Sequence, residues 1–560
     1  MHGKMKRNLQ LLTEREFDLV VIGGGIFGIC TAWDAALRGL SVALVEKGDF
    51  AHAASGNHFR MVHGGIRYLQ HGDINRVRES SQERSILLRI APHLVHPLPI
   101  LVPTFGHGMK GKEVLASGLR LYDVLTIDRN RYIKDRSRQI PSGKVISREE
   151  VLEQFPEIKK QGLTGAAIFY DGQTYNPARL ALAFLKSAVD AGAETANYVE
   201  VTDFLRKNGR VIGVRACDLL TSSEFDIRGR MVVNAAGPWA AGLLDKKTDL
   251  GFLARPTFSR DACFIVHKKL TNGIALALGS KTYDPDAIIK RGTRHLFVVP
   301  WQDKTLVGVW HIVHHGNPES FTVTKDDLQS FLDEVNQSYM PLELSLKDIS
   351  RWMAGLVLFG GDQVSERHLK YGHRSLLIDH KAQNGIEGLI TLIGVRFTTA
   401  RGMAEKTVDL AVRKLGLKAT RSRTDETPVY GGGISDFERF QQQAVQQCPS
   451  GVRVEVMQAL SRNHGSAFGK ILNYKNENPK LISEIGNTRT LKAEVVHAVR
   501  HEMALKLSDV VFRRTDIATG SKVEDGVLAE CANLMSSELE WDQVREDMEL
   551  REVLCSLSTI

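Results

Sequence analysis

Apolar positions along the chain follow two rhythms. Unbroken runs at residues 19–22, 42–45, 231–233 and 389–394 predict strands buried on both faces of a parallel sheet. Shorter strand patterns, ACFIV, HLFVVPW and TLVGVW, fill residues 250–345 and predict an antiparallel sheet. Helical spacing follows the first run through Trp33, Ala36 and Leu37, and recurs near 178–191 and from about 399. Residues 110–185 otherwise read as helices alternating with polar turns. Beyond Pro428 and the glycines 431–433 the pattern turns helical, with Val496, Val499, Met503, Leu507 and Val510 as a core-facing stripe.

These rhythms predict a polar lead-in over 1–16 and an α/β domain over 17–425. An antiparallel subdomain is inserted at about 250–350, and an all-α C-terminal domain covers 426–560. A chain of 560 residues exceeds what one core usually supports. The α/β domain draws on residues near 17–100, 160–250 and 365–425.

The first parallel strand runs straight into chemistry. Gly23, Gly25 and Gly28 form G-x-G-x-x-G, a helix follows, and the next strand ends in Glu46. Glycines there allow a tight turn and close approach of backbone to a pyrophosphate, whose oxygens meet N–H groups at the helix N-terminus. Glu46 is spaced to accept hydrogen bonds from a ribose diol. Two later features favour FAD over NAD: a strand ending in Asn-Ala-Ala-Gly at 234–237, and a strand–Gly–helix from Ile393 and Gly394 to Thr399. Both repeat the close backbone approach that an extended FAD needs more than once.

Composition refines this only slightly. The net charge of +8 and pI near 9.0 favour anionic ligands or surfaces, while the basic loop 129–138 reads as solvated. Six scattered cysteines without a C-x-x-C pair fit a reducing compartment. No secretory signal or membrane-spanning run is visible. His93, His96, His314 and His315 lack supporting ligand spacing, so no metal site is expected, and no nucleic-acid motif is present.

Motifs in order along nearly the whole chain resemble the aerobic FAD-dependent glycerol-3-phosphate dehydrogenases, within the wider glycine-oxidase and amino-acid-oxidase group. They are IGGGIFG (22–28), HGGIRYL (63–69), APHLVHPLP (91–99), LYD (121–123), ARL (178–180), NAAGPW (234–239), FVVPW (297–301), TTARGMAE (398–405) and HEMALKLSDVVFRRT (501–515). The resemblance implies hydride transfer from C2 of sn-glycerol 3-phosphate to FAD, with quinone or oxygen as acceptor. It also implies a cytoplasmic protein, free or peripheral on the inner face of the cytoplasmic membrane. Expected cofactor contacts are Gly23, Gly24, Gly25, Gly28, Glu46, Gly64, Gly65, Ala236, Gly237, Gly394, Thr398 and Thr399.

Oxidising a secondary alcohol needs a base and, for a phosphate, cations. His63 suits general-base work, Arg67 suits bidentate anion binding, and Tyr68 can hydrogen-bond substrate or flavin. The substrate side departs from the family's usual residues. His58-Phe59-Arg60 stands where the family has Ser-Ser-Lys, and Gly308 to His311 where it has Gly-Thr-Thr-Asp. Gly355 to Leu358 takes the place of an arginine-bearing segment, and Gly394 to Arg396 that of Gly-Gly-Lys. Arg60, Trp310, His311 and Arg396 are therefore the expected substrate contacts, with Phe59 beside them. Alternatives are an FAD enzyme for another anionic polyol, a 2-hydroxy acid or an amine, and a flavin-binding protein without turnover.

Overall fold

A computed structural model describes residues 5–107, 111–244, 257–283, 293–315, 317–359 and 375–557. Residues 250–256 and 365–374, to which the sequence assigns parts of the inserted subdomain and the α/β domain, lie outside these. Among the described residues two sheets carry the fold.

The first is the expected parallel sheet. Glu16–Ile22 lies between Ser223–Asn234 and Val42–Val45, with Leu389–Ile393 and Glu194–Ala196 outside them, all parallel. An antiparallel strand, Leu376–Asp379, closes one edge. The buried runs are continuous because both faces are covered. On one face, helices Ile26–Leu37, Pro177–Asp190 and Ala400–Leu415 enclose a core with Leu19, Val21, Trp33, Phe184 and Met403. On the other lie Val20, Ile22, Val45, Phe204 and Val214, under the hairpin of Val199–Lys207 and Arg210–Asp218.

The second sheet is mainly antiparallel and reaches beyond residues 250–350. Thr257–Val266, Ala275–Tyr283, Thr293–Trp301, Lys304–His315 and Ile349–Phe359 supply five strands, and Met61–Val62, Val95–Phe105, Lys144–Ile146 and Leu163–Thr174 add four from earlier in the chain. The prolines of HPLPILVP hide one of the two long additions, Val95–Phe105, from a reading of strand patterns. Pro97, Pro99 and Pro103 all fall at odd positions. Their missing N–H groups therefore share one side of the strand and leave the other side intact. Helix Lys325–Ser338 covers this sheet through Leu328, Phe331, Leu332 and Val335.

The C-terminal region is helical, but the stripe from Val496 to Val510 is not one helix. Lys492–Glu502 ends at Met503, which adopts a left-handed φ of 54°. A short turn, Leu507–Asp509, and a π-helical turn, Val510–Arg514, follow. The change of direction turns Arg513 and Arg514 back toward the α/β domain. The N-terminal lead-in is also ordered: Leu9–Glu14 is helical, and Arg7 pairs with Asp218.

Trp33 is buried where two helices cross the parallel sheet, with its ring edge-on to Phe184 at 5.3 Å. Trp33→Ala should cost about 3–5 kcal/mol through lost burial and an unfilled cavity. A lowered denaturant midpoint at unchanged slope is the expected reading.

Candidate active site

The carboxyl ends of the parallel strands open into a cavity of about 880 Å³ roofed by the second sheet. Its floor is backbone. Gly23 has φ +103°, and a Cβ there would lie 2.6 Å from the Ala235 carbonyl oxygen. A Cβ on Gly28 would sit 1.9 Å from the Gly23 oxygen. One on Gly394 would fall 1.9 Å from the Phe27 ring. The three predicted close approaches thus meet at one place, where a side chain would collide with the scaffold. Ser55 Oγ accepts from the N–H of Ile26 at the head of helix Ile26–Leu37, 2.9 Å away.

Gly23, Gly25, Glu46, Gly65, Ala236, Gly237, Gly394 and Thr398 line this cavity. Gly24, Gly28, Gly64 and Thr399 lie behind its wall. The Gly24 N–H donates to Glu46 at 2.6 Å, and the Gly48 N–H donates to the other carboxylate oxygen at 2.8 Å. These bonds fix the carboxylate against the glycine loop. The bare floor, the helix head and the fixed acid fit a dinucleotide that includes a flavin.

His63, Arg67 and Tyr68 line the same cavity. Gly65, at φ +82°, starts the 3-10 turn Ile66–His71, which brings Tyr68 edge-on to His63 at 6.0 Å between ring centroids. Gly64 has a support that the sequence does not disclose. Its N–H donates to Asp171 at 2.5 Å, and its carbonyl accepts from the Tyr122 hydroxyl at 2.9 Å. Arg84, fully buried, pairs with Asp171 at 2.9 Å. A Cβ on Gly64 would lie 2.2 Å from the Arg84 guanidinium. These three residues come from distant segments; only LYD, which contains Tyr122, carries any signal in the sequence.

Cations converge on the turn. Arg396 lines the cavity, with its guanidinium 5.3 Å from the Tyr68 ring centroid; it donates to Ser80 and pairs with Glu79 at 3.1 Å. Arg76, which the sequence reading overlooked, also lines the cavity and lies 4.4 Å from the same centroid. Burial, and then the charges of Arg396, Arg84, Arg67 and Arg76, push His63 down to about 3. Its imidazole is therefore neutral at physiological pH, and a weak base while those charges are uncompensated.

Two expected substrate contacts point elsewhere. Trp310 does not line the cavity: its ring stacks on Phe331 at 5.4 Å, and its Nε1 donates to Glu334. Its neighbours Val309 and His311 do line it. Side chains alternate across a strand, so Trp310 and His311 cannot both face inward. Arg60 has φ +57°, and this turn sends its side chain away from the cavity. It lies 3.7 Å from the Trp301 ring centroid and donates to the Thr519 carbonyl. Phe59 lines the cavity against Gly308. His311 Nδ1 donates to Asp261 at 2.7 Å, and Ser259 Oγ donates to the same carboxylate. Asp261 also lines the cavity and was not anticipated.

Among the described residues, His464, His497 and Glu502 bring three donor atoms within 4.8 Å, but not at the cavity. Arg179 donates to His464 Nδ1 and to Glu502. Since arginine only donates, neutral His464 carries its proton on Nε2, and the cluster reads as an internal hydrogen-bonded network.

Comparison with known proteins agrees with this geometry. The model of the family described as FAD dependent oxidoreductase matches residues 18–410. That of the C-terminal domain of alpha-glycerophosphate oxidase matches residues 422–546. The chain is 32% identical to human mitochondrial glycerol-3-phosphate dehydrogenase over 97% of its own length and 74% of that protein's. It is 30% identical to aerobic glycerol-3-phosphate dehydrogenase of Staphylococcus haemolyticus, covering 95% and 93% of the two chains. Among solved structures it resembles glycerol-3-phosphate dehydrogenase from Bacillus halodurans complexed with FAD, with a TM-score of 0.74, 25% identity, and 98% and 96% of the chains covered.

An unfolded chain protonates His63 near 6.5, whereas the folded protein does so only near 3. The stability contributed by this neutral histidine is thus present above 6.5 and declines as pH falls toward 3. The His63 ring resonance should stay flat from pH 8 to 5 in an NMR titration. A midpoint near 6.5 would contradict the buried, arginine-ringed site.

Proposed function

The chain belongs to the glycerol-3-phosphate dehydrogenase family of FAD-dependent oxidoreductases, and from that membership we propose how its own residues carry out the oxidation of sn-glycerol 3-phosphate to dihydroxyacetone phosphate. FAD, when bound, supplies the hydride acceptor. Gly23, Gly25 and the head of helix Ile26–Leu37 would hold its pyrophosphate, Glu46 its ribose, and the backbone at Gly65, Gly237 and Gly394 its remaining length. The observation that carries the reading is the group of Arg67, Arg76 and Arg396 lining one cavity with His63 and Tyr68.

These arginines take the substrate's phosphate, standing in for the cation absent from Gly355 to Leu358. Each charge-assisted hydrogen bond of this kind contributes about 1.5–3 kcal/mol. His63 removes the proton from the C2 hydroxyl. In the free protein its basicity is weak, because burial and the arginines both oppose a positive imidazolium. A phosphate dianion among those arginines offsets their field, so substrate binding itself raises the basicity of His63. Asp261, oriented by His311 and Ser259, accepts a hydrogen bond from a substrate hydroxyl.

The electrons that bound FAD would take up are destined, on this reading, for a quinone, and the protein's own exposed face would dock it on a membrane. Among the described residues no helix is long and apolar enough to cross one. An exposed apolar set supports surface docking: Leu121 and Val124 on helix Lys112–Leu125, then Ile127, 82% exposed, and Tyr132. Exposed Arg120, Arg131, Lys134 and Arg136 accompany them. Apolar and basic residues together suit an anionic lipid surface.

Anaerobic mixing should bleach the flavin with glycerol 3-phosphate and not with glycerol. Arg396→Ala should weaken the substrate's apparent affinity by roughly tenfold or more, the loss of one charge-assisted bond. Bleaching by an amine or a 2-hydroxy acid alone would overturn the substrate assignment. Co-sedimentation with anionic vesicles, lost in Ile127→Asp with Val124→Asp, is the expected result for the surface; unchanged sedimentation would remove this face from docking.

A further inference from the structure

The loop after Glu46 is held from the far end of the chain. Asp49, three residues beyond the ribose acid, is fully buried and faces away from the cavity. Arg514 grips its carboxylate with two parallel bonds of 2.6 and 2.7 Å, and Arg513 Nε donates to it as well. Asn197 Nδ2 donates to Asp49 at 3.0 Å and to the Met503 carbonyl at 3.0 Å. Burial alone would raise the Asp49 carboxyl; the two guanidiniums reverse this and hold it well below the ordinary carboxylate range.

The arginines do not act on an isolated loop. The Ala51 N–H donates to the Gly24 carbonyl at 2.9 Å, binding the loop to the glycine turn. Tyr198 N–H donates to the Gly48 carbonyl, and Val199 N–H to that of Glu46. Glu46 and Lys47 before Asp49, and Ala51 and His52 after it, line the cavity, as do Val199 and Glu200 of strand Val199–Lys207. Tyr198 in turn donates to Asp509 at 2.6 Å, which also pairs with Arg513 at 2.7 Å. Both segments that border the adenosine end of the cleft are therefore anchored to residues 503–514.

We propose that Arg513 and Arg514 are positioning residues for FAD: acting through Asp49 and Asn197, they hold the adenosine-binding loop closed, so that docking of the C-terminal segment and retention of the cofactor are one coupled equilibrium. Neither arginine lines the cleft. Their effect is to fix the loop before the cofactor arrives, which removes the ordering cost from binding. Coupling of this kind is reciprocal: if the segment favours FAD, FAD must favour the docked segment.

Two measurements on the full-length protein test this. The apo-protein is titrated with FAD while the quenching of flavin fluorescence is followed, for wild type, Arg514→Gln, Arg514→Lys and Arg500→Ala. Arg500 pairs with Glu477 and Glu538 at an exposed site of the same domain and serves as the control. Arg514→Gln should lose affinity for FAD by roughly tenfold or more, within the 5–150-fold span usual for coupled sites, with partial recovery in Arg514→Lys and none of the loss in Arg500→Ala. Affinity within about twofold of wild type in a folded Arg514→Gln protein would overturn the proposal, since the contact would then be structural only. Should that variant fail to fold, hydrogen exchange on the wild-type protein decides. FAD should slow exchange across residues 503–516; exchange there that ignores FAD would overturn the coupling. FAD binding by wild type, measured alongside, separates failure of the clamp from failure of the cofactor assignment.

Discussion

Everything at the cleft depends on backbone that no side chain interrupts. Gly28 lies against the Gly23 carbonyl, Gly23 against the backbone of Ala235, and Gly394 against Phe27. These contacts draw the central strands together so tightly that a cofactor meets peptide groups and a helix head instead of side-chain tips. The close packing of helix Ile26–Leu37 on the sheet follows from that approach. The constraint is steric and local, which is why so few residue types satisfy it.

Around this neutral floor the protein concentrates positive charge at one end. Arg67, Arg76, Arg84 and Arg396 surround the half-buried His63, an arrangement that disfavours a positive imidazolium. Asp171 offsets Arg84, and Glu79 offsets Arg396. The remaining field is directed into the cavity. On the proposed reading, binding and basicity are thereby linked: the charge that would attract a phosphate also opposes protonation of His63.

The parallel strands, their glycines and Glu46 were legible because each is written in a short segment whose period and spacing have one physical meaning. The placement of His63, Arg67 and Tyr68 at the cavity was legible through a single motif. Arg84, Asp171 and Asp49 were not, because their roles arise from partners far along the chain and a charged residue in a helix or loop ordinarily reads as solvated. Arg60 and Trp310 misled for a different reason. Their chemistry suits an anion or a ring, but strand alternation at 309–311 and a left-handed turn at Arg60 decide direction, and residue type does not encode either. Val95–Phe105 escaped notice because proline argues against a strand unless its spacing confines the damage to one side.

The strand order of the parallel sheet bears on how the protein is made. The segments that meet at the cleft begin at Glu16 and end with Leu389–Ile393, and the loop beside Glu46 waits for Arg513 and Arg514. A chain emerging from the ribosome presents its glycine turn well before Leu389–Ile393, and cannot complete the sheet until that strand has appeared. Parallel pairing over such separations is slow, and unpaired edges invite association with other chains. The most recognisable part of the sequence is thus among the last to become a finished site, and until Leu389–Ile393 pairs, the strands beside the glycine turn keep an open edge.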